Sequence, residues 1–262
     1  MYREDRQKPL VAVAMSGGVD SSVTAALLLE RGYRVVGLTM KLWDYERVGG
    51  NVHRGSSCCS LDDIEDARAV AHQLGIPHYV VDIQEEFART VIRNFEEEYL
   101  RGRTPNPCVL CNLHAKWRVL LRKALSIGAE YFATGHYARV IYDADSRRYL
   151  LLRATDRSKD QSYALWALRQ DQLRYTILPL GELSKHEVRA TAQRLGLRIA
   201  RKAESQEICF IPDNDYRRYL QERFGPGVLR EGEIVDTSGR VLGKHAGYPG
   251  FTIGQRRGLG IA

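Results

Sequence analysis

Seven residues, Ser16-Gly17-Gly18-Val19-Asp20-Ser21-Ser22, have the types and the spacing to hold a phosphate. They follow an apolar run, Leu10-Val11-Ala12-Val13-Ala14-Met15, and precede an Ala/Leu-rich stretch that ends at Arg31-Gly32. That order reads as buried strand, glycine-rich turn, helix. Such a turn gathers backbone N–H groups and small hydroxyls at the positive end of a helix, where an anion is favoured. The loop lacks the Gly-Lys-Ser/Thr of a Walker A sequence and the Gly-x-Gly-x-x-Gly of a dinucleotide turn. A serine-rich helix cap with no ligand is the plainer alternative, and the full heptad directly behind a strand argues against it.

The second set of chemical residues is thiol. Cys108-Val109-Leu110-Cys111-Asn112 lies where a proline loop enters a helix expected from Asn112, with His114, Lys116 and Arg118 close behind. A thiolate at a helix N-terminus is stabilised by the same partial charge that attracts phosphate, so Cys111 is a candidate nucleophile. A Cys-x-x-Cys can also be half of a zinc site, but no second Cys-x-x-Cys or His pair completes one here. Cys209, in Glu204-Ser205-Gln206-Glu207-Ile208-Cys209-Phe210-Ile211, could be a core cysteine, a reading the polar run before it weakens. Two thiols and a phosphate loop in one chain suggest sulfur chemistry. Cys58-Cys59 are read as structural or incidental, because adjacent cysteines rarely bridge.

The elements that must position these groups alternate. Strands are expected at Leu10–Met15, Arg34–Met40, Tyr79–Ile83 and Glu130–Thr134, helices at Asp62–Leu74, Glu85–Leu100 and Asn112–Ile127, and a hairpin over Tyr137–Arg153. Thr104-Pro105-Asn106-Pro107 is expected to be loop. Ser184-Lys185-His186-Glu187 is a capping box that opens a helix ending at Gly196. Strands interleaved with helices predict an α/β fold with a parallel sheet covered on both faces and ligands at the strands' carboxyl ends. After about residue 210 glycines become frequent and short strand-like pieces appear around Thr237-Ser238-Gly239, the pattern of a small β-rich domain. The expected division is 1–208 for the catalytic domain and 209–262 for the small one.

The chain has 262 residues and a formal net charge of +7, which favours an anionic partner such as RNA. Basic pairs such as Arg101/Arg103, Arg201-Lys202 and Arg256-Arg257 are scattered and read as solvated surface. No run of roughly 18 apolar residues indicates a membrane span. The first residues are not a signal peptide, and five cysteines in a chain with no export signal fit a reducing, cytoplasmic setting. The last residues, Phe251 to Ala262, stop without a terminal helix or polar tail, as a cut chain would.

The heptad resembles the pyrophosphate loop of N-type ATP pyrophosphatases, which have an adenine nucleotide alpha hydrolase-like, Rossmann-like fold. Taken with Cys58-Cys59-Ser60-Leu61-Asp62-Asp63, the segment 104–112, Ala133-Thr134-Gly135-His136-Tyr137-Ala138, Lys159-Asp160-Gln161-Ser162-Tyr163, Ser205 to Phe210 and Thr252-Ile253-Gly254-Gln255-Arg256, it makes the whole chain similar to the bacterial tRNA-specific 2-thiouridylase (MnmA) family. The resemblance implies ATP bound by Ala14, Met15, Ser16, Gly17, Gly18, Val19, Asp20 and Ser21, with its adenine near Met40 and Gly135, and Mg2+ screening the phosphates. It implies adenylation of O2 of wobble uridine-34 in the anticodon loop of tRNAs for Lys, Glu and Gln. Asn106, Pro107 and Cys108 would border the base, and His136, Lys159, Asp160 and Gln161 would contact the tRNA. Cys209 would carry a persulfide from a cysteine desulfurase relay, and Cys111 would release its sulfur through a transient Cys111–Cys209 disulfide. Cysteine at 108, where some members carry an acid, opens a second mechanism, a [4Fe–4S] cluster on Cys108, Cys111 and Cys209. Family members continue past this ending into a C-terminal barrel, so the chain is expected to be truncated before it, and a monomer is expected. Two rivals stand beside this reading: a non-catalytic nucleotide-sensing iron–sulfur or RNA-binding module, and an adenylating ligase that uses ammonia.

Overall fold

The computed structural model describes residues 8–42, 61–204, 208–211 and 213–261. Cys58, Cys59 and Ser205-Gln206-Glu207 lie outside those residues.

Near-continuous apolar runs in β1 and β2 build the centre of the sheet. Strands β1 (Leu10–Ala14), β2 (Arg34–Lys41), β3 (His78–Asp82), β4 (Tyr131–Ala133) and β7 (Thr176–Ile177) lie in the order β3-β2-β1-β4-β7, and every pair is parallel. Val11, Val13 and Val35 point into one core and Ala12, Val36, Leu38 and Met40 into another, as strand alternation requires. A sheet apolar on both faces must be covered on both. Helix α1 (Val19–Glu30), α2 (Leu61–Gln73) and the Lys185–Arg194 helix cover the first face through Val23, Leu28, Ala67, Val70, Val188 and Ala192. Two long helices, residues 84–100 and 107–126, cover the second through Phe87, Phe95, Trp117 and Leu120.

Both long helices contain a π-helical stretch. The Arg93 N–H donates to the Ala88 carbonyl, and the Leu121 N–H to the Lys116 carbonyl, each five residues back. Such widened turns are frequent at functional sites because they re-aim side chains.

The hairpin of β5 (Ala138–Asp143) and β6 (Arg148–Arg153) is antiparallel, as its pattern predicts. So is that of β8 (Gly232–Val235) and β9 (Val241–His245), which forms the small β unit. Three features differ from expectation. The second long helix starts at Pro107, not at 112: Asn106 caps it by accepting from the Val109 N–H at 3.3 Å, and proline is tolerated at a first helical position because that N–H has no helical partner anyway. The strand β7 is too short to announce itself. The segment after 210 opens with a helix, Tyr216–Phe224, before its strands. Phe210, Ile211 and Leu220 belong to the sheet's second core, and Tyr219 donates to the buried Glu96 carboxylate at 2.7 Å.

Candidate active site

The strand order reverses between β1 and β4, and open parallel sheets bind ligands at that switch point, beyond the strands' carboxyl ends. A cavity of about 160 Å³ opens there. The end of β1, the loop after it and the first turn of α1 supply Ala14, Met15, Ser16, Asp20 and Ser21; β2 supplies Met40; the turn after β4 supplies Gly135 and His136. Lys116 of the 107–126 helix and Gln161 close it.

Sequence explains the local geometry. The chain must turn sharply from β1 into α1, and Gly17 does so at φ +68°, with its Cα so close to α2 that a Cβ would lie 2.2 Å from the Asp63 carbonyl oxygen. Gly135 is also closely packed: a Cβ there would lie 2.8 Å from the Asp20 and Ser21 backbone. Gly18 is different. Its backbone is extended at φ −93°, and a Cβ would meet only Ser16 Oγ at 3.5 Å, an ordinary contact. Neither backbone nor neighbours demand glycine at 18, whereas close approach of a phosphate would. Among the described residues no N-cap side chain bonds to α1: the Ser22 hydroxyl turns back to the Gly18 carbonyl at 2.8 Å. The Ser21 hydroxyl accepts from the Ser16 N–H at 3.1 Å. Among the described residues no N-cap side chain therefore accepts from the first N–H groups of this twelve-residue helix. These residues fit a nucleotide phosphate.

Two ion-pair networks hold the loop. Asp20 accepts from Lys185 Nζ at 2.7 and 2.8 Å and from the Tyr137 hydroxyl at 2.9 Å. Burial and the Asp20 charge push the Tyr137 phenol far up, so it stays a donor. Lys185 also pairs with Glu204 at 3.2 Å, and Glu204 takes Lys159 at 2.8 Å. On the other side Lys202 donates to the Gly17 carbonyl at 3.2 Å and to Asp63 and Asp66, both at 2.7 Å. Lys202 is thus no solvated surface charge, because these partners draw it onto the loop. Both networks anchor residues 202–204, a few residues before Cys209.

The imidazole of His136 is 2.6 Å from Thr134 Oγ1 through Nδ1. Burial, with the Lys116 charge as a second cause, holds it well below its ordinary value, so it lines the cavity as a neutral ring. Lys116 donates to Asn112 at 2.8 Å, and Asn112 to the Ala164 carbonyl at 3.0 Å. Gln161 is locked by the Tyr137 backbone, and Asp160 accepts from the Ala154 N–H at 2.8 Å and the Ser162 hydroxyl at 2.8 Å.

Cys111 and Cys209 are half-buried and pack against one apolar cluster, which also contains Met40 and Ala14 of the cavity. Cys108 is exposed in the first helical turn, with Pro107 before it. Because the helix starts at 107, Cys111 sits a full turn inside it, where the terminal dipole has faded. Among the described residues no three His, Cys, Asp or Glu side chains gather as a metal site. Cys108 is exposed while Cys111 and Cys209 are half-buried, and no step below runs through a cluster on the three thiols. Asp20 is the carboxylate at the cavity and is already balanced by Lys185, so magnesium would be held by the phosphates it arrives with.

Sequence reasoning missed Tyr137, Lys185, Lys202 and Glu204 as partners of the loop. The capping box placed Lys185 at a helix start, but only the fold brings that start to Asp20.

Comparison with known proteins adds three findings. Residues 9–213 match a family model described as tRNA methyl transferase HUP domain, and 217–262 one described as tRNA methyl transferase PRC-barrel domain. Relatives each named tRNA-specific 2-thiouridylase MnmA include that of Carboxydothermus hydrogenoformans, 59% identical over 96% of this chain and 68% of its own length. Those of Salinibacter ruber and Geobacter metallireducens are 57% and 56% identical, over 98% of this chain and 68% and 70% of theirs. A 4-thiouridine synthetase solved with RNA and bound ATP shares the fold, with a TM-score of 0.50 at 16% identity over 82% of this chain and 50% of its own. Among the described residues no helix is long and apolar enough to cross a membrane.

Proposed function

The chain belongs to the tRNA-specific 2-thiouridylase (MnmA) family, and from that premise we propose how its residues divide the ATP-dependent conversion of a tRNA uridine to 2-thiouridine. The observation that carries the proposal is the phosphate-fitting cavity at the switch point, two walls of which, Ala14 and Met40, share an apolar cluster with both thiols.

ATP is the co-substrate, its phosphates on the N–H groups at the start of α1 and its adenine toward Met40 and Gly135. Lys116 supplies positive charge at the cavity wall. The uridine O2 attacks the α-phosphorus, the α–β bridging bond breaks, and pyrophosphate leaves. A pyrimidine carbonyl oxygen is a poor leaving group, and adenylation makes it a good one. Asn106, Pro107 and Cys108, at the mouth of the 107–126 helix, border the flipped base. His136, Lys159, Asp160 and Gln161 face the tRNA; Asp160 and Gln161 do so by holding the 154–162 backbone in shape.

Sulfur comes from a protein persulfide relay to Cys209. The terminal persulfide sulfur attacks C2, the C2–O2 bond breaks, and AMP departs with that oxygen. The Cys111 thiolate then attacks the Cys209 sulfur. The S–S bond to the transferred sulfur breaks, its electron pair stays on 2-thiouridine, and a Cys111–Cys209 disulfide forms. A cellular dithiol reduces the disulfide with two electrons.

The test separates the half-reactions. Cys209→Ser and Cys111→Ser abolish 2-thiouridine formation with a persulfide donor yet still release about one pyrophosphate per site on mixing with ATP and tRNA, because adenylation precedes sulfur transfer. Retained thiolation in either variant overturns the thiol assignment. Absence of tRNA-dependent pyrophosphate from the wild type overturns adenylation.

A further inference from the structure

A second, wider cleft of about 740 Å³ runs along the 107–126 helix. Its floor is apolar, with Leu113, Trp117 and Leu121. Its rim carries four exposed arginines from two separate segments: Arg118 and Arg122 of the helix, Arg169 and Arg174 opposite. The acidic residue in the lining, Asp171, is held by Arg169 at 3.0 and 2.8 Å, so three guanidinium charges remain in excess of it. Arg174 lies over the Tyr175 ring, 4.6 Å from its centroid. His114 reaches the same cleft, and its Nδ1 is buried with no hydrogen-bond partner among the described residues.

The cleft adjoins the active site in two ways. Trp117 is shared: it lines the cleft, and its indole is 5.6 Å from the His136 ring that lines the nucleotide cavity. The chain from Gln161, in the cavity, to Ala167, in the cleft, exposes two large aromatics, Tyr163 at 62% and Trp166 at 72%. A solvated face would alternate Lys with Glu. Here arginine is interleaved with aromatic rings. Guanidinium groups take phosphate oxygens bidentately, and exposed rings stack unpaired bases. The volume suits a ligand far larger than one ion.

We propose that the arginine cleft and the Tyr163–Trp166 strip form a track for the single-stranded RNA flanking the reacting nucleotide, the arginines neutralising phosphates and the two rings stacking bases. The proposal rests on the thiolation reading, which supplies an RNA substrate, and extends recognition beyond the reacting base. An acidic protein that docks on the arginines is the competing occupant.

Binding of a substrate tRNA, measured by anisotropy between about 50 and 200 mM KCl, tests the track. Each phosphate neutralised on a single strand adds about 0.7 to the slope of log affinity against log salt. Four arginines account for a slope of about 2.8, or roughly 50-fold across that salt range. The combined Arg118→Gln, Arg122→Gln, Arg169→Gln, Arg174→Gln variant loses that share of the salt dependence and binds at least tenfold more weakly at low salt. Tyr163→Ala with Trp166→Ala weakens binding by about 30-fold or more and leaves the slope unchanged, since stacking is worth about 1–3 kcal/mol for each of the two bases. All six side chains are exposed, and an unaltered Tm confirms that the variants fold. Wild-type binding together with unchanged affinity and slope in both variants overturns the track alone. So does normal tRNA binding with transfer lost only from a protein persulfide donor and not from sulfide, which assigns the cleft to the acidic protein. A wild type that binds no tRNA overturns the thiolation reading as well.

Discussion

Replacing Lys185 with methionine removes the charge that joins the loop to the segment before Cys209. Its ammonium lies 2.7 Å from Asp20 and 3.2 Å from Glu204, and its side chain is 13% exposed. Loss of one partner from a fully buried pair costs about 3–5 kcal/mol, most of it from the stranded charge. Asp20 and Glu204 are 32% and 28% exposed, so water screens part of that loss. Each carboxylate also keeps another donor, the Tyr137 hydroxyl at 2.9 Å and Lys159 at 2.8 Å. The expected cost is therefore about 2 kcal/mol, or roughly 4–8 °C in Tm for a chain of this size. Calorimetry with a urea titration measures it. A double-mutant cycle with Asp20→Asn isolates the pair, because removing the stranded carboxylate restores part of the stability. A Tm drop below about 1 °C, or strict additivity of the two variants, refutes the claim that this ion pair braces the loop.

The two loop glycines separate packing from binding. Gly17→Ala forces a side chain into positive φ and against a backbone oxygen at 2.2 Å, so stability falls by about 3 kcal/mol in a thermal melt. Gly18→Ala changes stability by less than about 1 kcal/mol, yet ATP binding measured by calorimetry weakens at least tenfold, since the new methyl occupies the phosphate's place. Acid titration reports on Glu204, whose carboxyl is held below its ordinary value chiefly by the Lys159 hydrogen bond and then by Lys185. A depressed folded pKa gives stability that is present above the unfolded value and lost as pH falls through the folded one. Tm measured from pH 6 down to 3 should therefore fall less steeply in Glu204→Gln than in the wild type.

The sheet and the phosphate loop were legible because their signals are local. A run of apolar residues, a glycine-rich turn and a helix stop at Gly32 each declare themselves within a few residues. Helix 185–194 announced itself through the Ser184–Glu187 capping box, which forms with Ser184 Oγ accepting from the Glu187 N–H at 3.3 Å. The start of the 107–126 helix was misread because two prolines looked like a loop, while one of them occupies the position where a helix accepts proline. What sequence could not give is long-range charge pairing. Asp20 and Lys185 are 165 positions apart, and Lys202 and Gly17 are 185 apart. The arginine cleft was hidden for the same reason: its halves come from residues 113–125 and 167–175, each unremarkable alone. The thiols were legible as chemistry, but only the fold puts Cys111 and Cys209 on the same sheet face as Met40.

The central claim is that the uridine oxygen is activated by adenylation and replaced by sulfur in one pocket. Isotope transfer tests it directly. A substrate tRNA with ¹⁸O at C2 of the reacting uridine is incubated with the protein, ATP and a persulfide donor, and the released AMP is weighed by mass spectrometry. The account predicts that AMP carries the ¹⁸O in proportion to the 2-thiouridine formed. Unlabelled AMP alongside 2-thiouridine would contradict it.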